Sequence, residues 1–154
     1  LLATLRENTT LVIVGDGPQR GELLRHRDAV SVSEHVRFAG QRSDVAELLP
    51  HASLFWIASE YEGQSNSVIE AIQASVPVIA SDIPGNRDLV LDHHTGRLVK
   101  IGDTADFARQ SNDLLENPDV AETLALAAKH RIDSEFTVQA MMSKHAELYQ
   151  RLAR

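Results

Sequence analysis

The 154-residue sequence has no cysteine and is short of basic residues, with 15 Lys and Arg against 22 Asp and Glu and a formal net charge of -7. Without cysteine, disulfides and thiolate-based metal or nucleophile chemistry are excluded. The acidic balance argues against a nucleic-acid partner and against an anionic membrane surface, because both are bound by clustered Lys and Arg. This composition fits a cytoplasmic location.

Long apolar runs are also missing. The best run, residues 54–58, has the length of a strand, whereas a membrane-spanning helix needs about 20 apolar residues. Residues 1–10 lack the basic-then-apolar pattern of a secretory signal. We therefore expect no transmembrane segment here.

Several catalytic and metal-binding patterns do not occur. There is no Asp-x-Asp pair to clamp a metal-bound substrate, and no Gly-x-Ser-x-Gly elbow for acyl chemistry. The seven histidines show no metal-ligand spacing. We predict no metal site and no cofactor.

Strand-like and helix-like segments alternate along the chain, which predicts one α/β domain over residues 1–154. Strands separated by single helices imply a doubly wound parallel sheet with right-handed crossovers, helices on both faces and a helical C-terminal tail. Residues 53–58 look like a buried central strand, and the helical leucines look core-facing. The predicted strands are 11–14, 36–39, 53–58, 77–80 and 97–99; the predicted helices are 19–30, 43–49, 66–74, a short one after Gly85, 105–116, 120–132 and 138–152; the leucines are Leu114, Leu124, Leu126, Leu148 and Leu152.

The segment between the predicted strand 53–58 and the helix after it is the first candidate site. Its small, polar residues 59–67 can present backbone N–H groups to an anion at a helix start, and a diphosphate is the natural guest. Glu70, one turn into the helix, could accept hydrogen bonds from ribose hydroxyls, while Glu62 would lie nearer to whatever the diphosphate carries. Ser67 and Glu70 also match a capping box, in which Glu70 only bonds the backbone of Ser67, and local features leave both interpretations open.

A second candidate is the glycine-containing turn 15–21, which superficially resembles a dinucleotide loop. The following strand ends without the acidic residue that would hold a ribose 2′-OH, although Arg42 could suit a 2′-phosphate. A tight turn is the favoured interpretation, with a nicotinamide cofactor as the minor alternative.

Taken together, these segments resemble the C-terminal, donor-binding domain of the family 4, or group 1, retaining glycosyltransferases, which have the Rossmann-like GT-B fold. Each segment is weak alone, but six in the right order are specific, and they cover nearly the whole chain. Three positions depart from the family pattern, namely Ser75 and His93, where glycine is usual, and Asp88, where Glu is commoner. The matching segments are residues 11–18, 36–40, Ser59 with 62–71, 77–82, 84–90 and 95–99.

The resemblance implies a role for each candidate residue. Glu70 would bind the nucleotide ribose and Glu62 would lie near the donor sugar, in an electrostatic and positioning role. The loop at Gly40 and Gln41 would contact the base. The backbone of Gly63, Gln64, Ser65 and Asn66 would meet the diphosphate and sugar hydroxyls.

The resemblance also implies partners. The substrate would be a UDP-, GDP- or ADP-sugar, whose hexosyl group passes to a saccharide or lipid-linked acceptor with retention of configuration, as in polysaccharide biosynthesis. Two cations on an earlier strand, and an N-terminal acceptor domain that could associate with a membrane, belong to the family pattern but not to this sequence, so we expect this chain alone to be inactive. A GT-B nucleotide-sugar epimerase and a non-catalytic nucleotide-sugar-binding module remain alternatives.

Overall fold

The computed structural model describes residues 9–153, with the backbone alone at Lys144. Most of residues 1–10, where we expect no signal pattern, therefore lies outside the described residues. The strands are β1 (Leu11–Val14), β2 (Val36–Gly40), β3 (Phe55–Ile57), β4 (Val78–Ser81) and β5 (Arg97–Val99). The helices are α1 (Arg20–Ala29), α2 (Val45–Leu48) with a 3-10 turn at Leu49–His51, α3 (Asn66–Gln73), α4 (Pro84–Arg87), α5 (Thr104–Glu116), α6 (Pro118–Glu135) and α7 (Val138–Leu152).

The predicted fold class is confirmed, since all strand pairs are parallel and helices separate consecutive strands. The hydrogen bonds, however, join the strands in two groups. One sheet pairs β1 with β2, and the other has the order β3-β4-β5. No strand among residues 9–153 pairs with both β1 and β3, so β3 is an edge strand of the described sheet rather than the predicted central one, and its residues are only half-buried.

The three-stranded sheet carries helices on both faces, as predicted. Because neighbouring side chains of a strand point to opposite faces, β4 contributes to two apolar clusters. Val78 and Ala80 pack with the buried face of α3 and with α6, whereas Ile79 packs with Val99 and the buried face of α5. All four residues of β4 are buried, which makes this strand the centre of the core.

Of the five leucines predicted to face the core, two are buried and three are exposed. Leu114 on α5 and Leu124 on α6 are 1% and 5% exposed, as predicted, but Leu126, Leu148 and Leu152 are exposed, which makes the prediction wrong for those three. Leu126 lies on the solvent side of α6, and none of the side chains that the structure describes on α7 is buried. No helix within residues 9–153 is both long and apolar enough to cross a membrane.

Helix α3 ends in a left-handed turn at Ser75, one of the positions where glycine is usual in the family pattern. Ser75 has φ +58°, and its N–H donates to the carbonyl of Ile72 at 2.9 Å. The N–H of Val76 donates to the carbonyl of Ala71, also at 2.9 Å, which completes a Schellman motif. His93, the other such position, has φ +59°. Both departures from glycine therefore fall on backbone that favours glycine.

We predict that Ser75→Gly raises the free energy of unfolding by about 0.5–1 kcal/mol, because the relief of left-handed strain exceeds the added entropy of the unfolded chain. Ser75→Ala is the matched control, since alanine keeps the β-carbon and therefore the strain. Urea unfolding of the three proteins measures the difference. A Gly variant no more stable than the Ala variant would contradict the assignment of strain to Ser75.

Candidate functional site

The loop between β3 and α3 presents unpaired backbone donors at the carboxyl edge of the sheet. Ser65 is the residue before the first helical turn, and the first helical bond runs from the N–H of Ile69 to the carbonyl of Ser65 at 3.2 Å. Within the described residues, the amides of residues 63–68 donate no hydrogen bond. The amino terminus of a helix carries about half a positive charge. This segment, which we call the β3–α3 loop (residues 59–66), can therefore bind an anion.

Two carboxylates flank these amides. Glu62 is half-buried within the loop, and Glu70 is exposed one turn into α3. Neither carboxylate forms a hydrogen bond or an ion pair with a residue in the part of the chain that the structure describes. The structure thus brings Glu62, residues 63–66 and Glu70 together on one segment, with donors and acceptors left open for a ligand.

The capping-box alternative for Glu70 is wrong. Ser65, not Ser67, lies at the helix start, and Ser67 is already the second residue of α3. The Oγ of Ser65 is 3.0 Å from the Oγ of Ser67, so the two hydroxyls bond each other instead of capping an amide. Glu70 therefore has no structural bond to the helix start that would account for it.

Gly40 and Gln41 lie at the end of β2, in the other sheet. Gly40 has φ +66°, and its carbonyl accepts a hydrogen bond from the N–H of Gly15 at 2.8 Å. Gln41 is exposed. Among residues 9–153 no hydrogen bond joins this corner to the β3–α3 loop. Both corners lie at carboxyl ends of parallel strands, where ligands of such folds bind.

The second candidate loop behaves as a turn. The N–H of Arg20 donates to the carbonyl of Gly17 at 3.0 Å, and α1 begins there. Arg42, which could have suited a 2′-phosphate, instead forms a two-pronged pair with Asp44, with Nε 2.8 Å from Oδ1. This pair raises the pKa of Arg42 and lowers that of Asp44, in both cases mainly through the hydrogen bonds between the side chains. Because Asp44 already neutralises Arg42, nothing here favours the nicotinamide alternative.

A buried polar network behind the loop was not predicted. The Oγ of Ser81 donates to the carbonyl of Ser59 at 2.5 Å, and the Nδ2 of Asn86 donates to the carbonyl of Ser81 at 2.9 Å. Ser81 is 2% exposed and Asn86 is fully buried. The sequence gives little signal for these bonds, because they join the ends of two strands to α4. The polar residues at the carboxyl end of an apolar strand were the only hint.

Asp82, which follows β4, forms a second bidentate ion pair. The Nε and Nη2 atoms of Arg87 lie 2.6 Å and 3.0 Å from the two carboxylate oxygens of Asp82. The hydrogen bonds from Arg87 hold the pKa of Asp82 below its usual value. The arginine at the end of α4 is therefore engaged with a protein carboxylate.

No group of three or more His, Asp or Glu side chains within residues 9–153 is arranged to hold a metal ion. The prediction that the site needs no metal and no cofactor stays a prediction.

Comparison with known proteins decides the family. The model of the family "Glycosyl transferases group 1" matches residues 1–131. The chain belongs to this family. The predicted resemblance and its GT-B, Rossmann-like fold are thereby confirmed.

Two curated relatives and one solved structure illustrate the likeness. The chain is 28% identical over 139 residues to N-acetyl-alpha-D-glucosaminyl L-malate synthase of Bacillus anthracis and 31% identical to the putative glycosyltransferase EpsD of Bacillus subtilis, covering 90% of this chain and 36% of each relative. HepE of Anabaena, solved in complex with UDP-glucose, superposes with a TM-score of 0.87 at 26% identity, over 97% of this chain and 43% of HepE. The chain thus spans less than half the length of these proteins.

We predict that Asp82→Asn lowers the thermal midpoint at neutral pH and that this effect disappears in acid. Because the folded pKa of Asp82 is depressed, its stabilising contribution is complete above the unfolded pKa of about 4 and is lost as the pH falls through the folded pKa. Thermal unfolding from pH 7 to pH 2 measures the difference in thermal midpoint between wild type and variant. The difference between wild type and Arg87→Gln should also become smaller as the pH falls. A difference in midpoint that does not depend on pH would contradict the role of this pair.

Proposed function

We propose that this chain is the donor-binding domain of a retaining glycosyltransferase, which transfers a hexosyl group from a UDP-, GDP- or ADP-sugar to a saccharide or lipid-linked acceptor. One observation carries the proposal. Within the described residues, the amides of residues 63–68 donate no hydrogen bond, and the carboxylates that flank them in the sequence, Glu62 and Glu70, have no partner. Membership of the group 1 family and the likeness to a UDP-glucose complex support this use of the segment.

The proposed chemistry follows from the charges. The amides of Gly63, Gln64, Ser65 and Asn66 would hold the diphosphate, with the helix dipole stabilising the charge that builds on the leaving group. Arg42 and Arg87 are each paired with an aspartate, so this half of the site would rely on backbone donors. Glu70 would accept hydrogen bonds from the ribose hydroxyls, and Gly40 and Gln41 would contact the base.

Glu62 would act on the donor sugar. A carboxylate beside the diphosphate can orient sugar hydroxyls and stabilise positive charge at the anomeric carbon as the bond to the diphosphate breaks. This is an electrostatic and positioning role without a covalent intermediate. Because the chain spans 36% of its curated relatives, we assign the full reaction to the whole protein and expect the 154-residue chain alone not to turn over.

We predict that Glu70→Ala weakens nucleotide binding roughly 10- to 100-fold in the whole protein, because charge-assisted hydrogen bonds to the ribose are lost. Calorimetry with UDP, GDP and ADP in parallel measures the change. Glu122→Ala, which removes an exposed helical carboxylate on α6, is the matched control and should bind like wild type. An affinity of Glu70→Ala equal to that of the control would remove the ribose role.

We predict that the whole protein transfers sugar from a labelled nucleotide sugar and that Glu62→Gln lowers kcat by roughly 100- to 1000-fold, because charge stabilisation at the anomeric carbon is lost. Mass spectrometry of the products separates a glycosylated acceptor from an epimerised donor, and NMR gives the anomeric configuration. An epimerised donor would establish the epimerase alternative, and unchanged donor throughout would leave a binding module.

A further inference from the structure

The backbone of the β3–α3 loop rests directly on Gly85 in the first turn of α4. A β-carbon on residue 85 would lie 2.4 Å from the carbonyl oxygens of both Glu62 and Gly63. That separation is far inside van der Waals contact, and the obstructing atoms are backbone, which cannot rotate away. Gly85 is itself buried. The present path of the loop past Glu62 therefore requires a residue without a side chain at position 85.

The amino-terminal end of the same loop is held by the buried network. The carbonyl of Ser59 accepts from the Oγ of Ser81, and Ser81 in turn accepts from Asn86 through its carbonyl at 2.9 Å and its Oγ at 3.3 Å. Asn86 follows Gly85 on α4, so one short helix supports the loop at two points. Buried hydrogen bonds of this kind fix geometry, because breaking one leaves a desolvated polar group without a partner.

We propose that Gly85, Ser81 and Asn86 are positioning residues, which set the height and direction of the β3–α3 loop without contacting the ligand. This inference rests on the proposed function, which places the diphosphate on the amides of the β3–α3 loop and the donor sugar beside Glu62. Displacing those groups by about 1 Å is enough to lower activity about a hundredfold. These three residues thus support the donor site without contacting the donor.

The first test is Gly85→Ala in the whole protein, compared with Gly21→Ala. A β-carbon on Gly21, which lies in α1, meets only the end of the flexible Arg25 side chain at 3.8 Å, so this control adds the same methyl group harmlessly. Crystal structures of both variants without ligand report the position of residues 59–66 directly. We expect the backbone there to shift by about 1 Å in Gly85→Ala and to stay in place in Gly21→Ala.

Affinities for UDP and for uridine separate displacement from general damage. We expect Gly85→Ala to lower the affinity for UDP by about tenfold or more, while the affinity for uridine stays within about twofold of wild type. Uridine lacks the diphosphate that the displaced amides would hold. Equal losses for both ligands, or an unshifted backbone at residues 59–66, would overturn the proposal. If wild type binds no nucleotide, the proposed function fails, and the crystal structures alone decide whether Gly85 positions the loop.

Ser81→Ala covers the case in which Gly85→Ala does not fold. Ser111→Ala is its matched control, because Ser111 is also buried and its Oγ also donates to a backbone carbonyl, that of Phe107 at 2.7 Å on α5. Both variants should lose stability. Only Ser81→Ala should shift the backbone of residues 59–66 and weaken UDP binding, and equal behaviour of the two variants would contradict a positioning role.

Discussion

The packing of α3 on the three-stranded sheet determines where the candidate site lies. Val68, Ala71 and Ile72 are fully buried against β4 and α6, which fixes the axis of the helix and aims its amino terminus beyond the carboxyl end of β3. A helix start without side-chain capping leaves backbone amides unpaired, and the buried face of α3 holds these amides at the carboxyl edge of the sheet. The electrostatics of the site thus depend on the apolar core beneath it.

The residues at β4 and α4 that contact the β3–α3 loop then determine the shape of this loop above the helix start. Gly85 allows the backbone of Glu62 and Gly63 to approach, and Ser81 with Asn86 fixes the carbonyl of Ser59. In the proposed function these contacts place acceptors and donors before a ligand arrives, so that little ordering is left for binding to accomplish. The rigidity comes from buried bonds rather than from the loop's own polar sequence.

Much of this architecture could be predicted from the sequence, because strand and helix periods and the Gly63–Glu70 pattern are local signals. The exposure of three leucines could not be predicted. Leu126, Leu148 and Leu152 fit a helical period, but their burial depends on which elements pack against them. The edge position of β3 likewise depends on strand pairing. Ser67 and Glu70 matched a capping box, but the helix begins two residues earlier than that pattern requires, so local chemistry alone could not decide between the two interpretations of Glu70.

The central claim is that the diphosphate of a nucleotide sugar lies on the amides of residues 63–66. A crystal structure of the whole protein with UDP-glucose tests it most directly. We predict phosphate oxygens within about 3.2 Å of those amides, with the ribose hydroxyls on the Glu70 carboxylate. A nucleotide bound at the turn of residues 15–21, with the β3–α3 loop empty, would contradict the account.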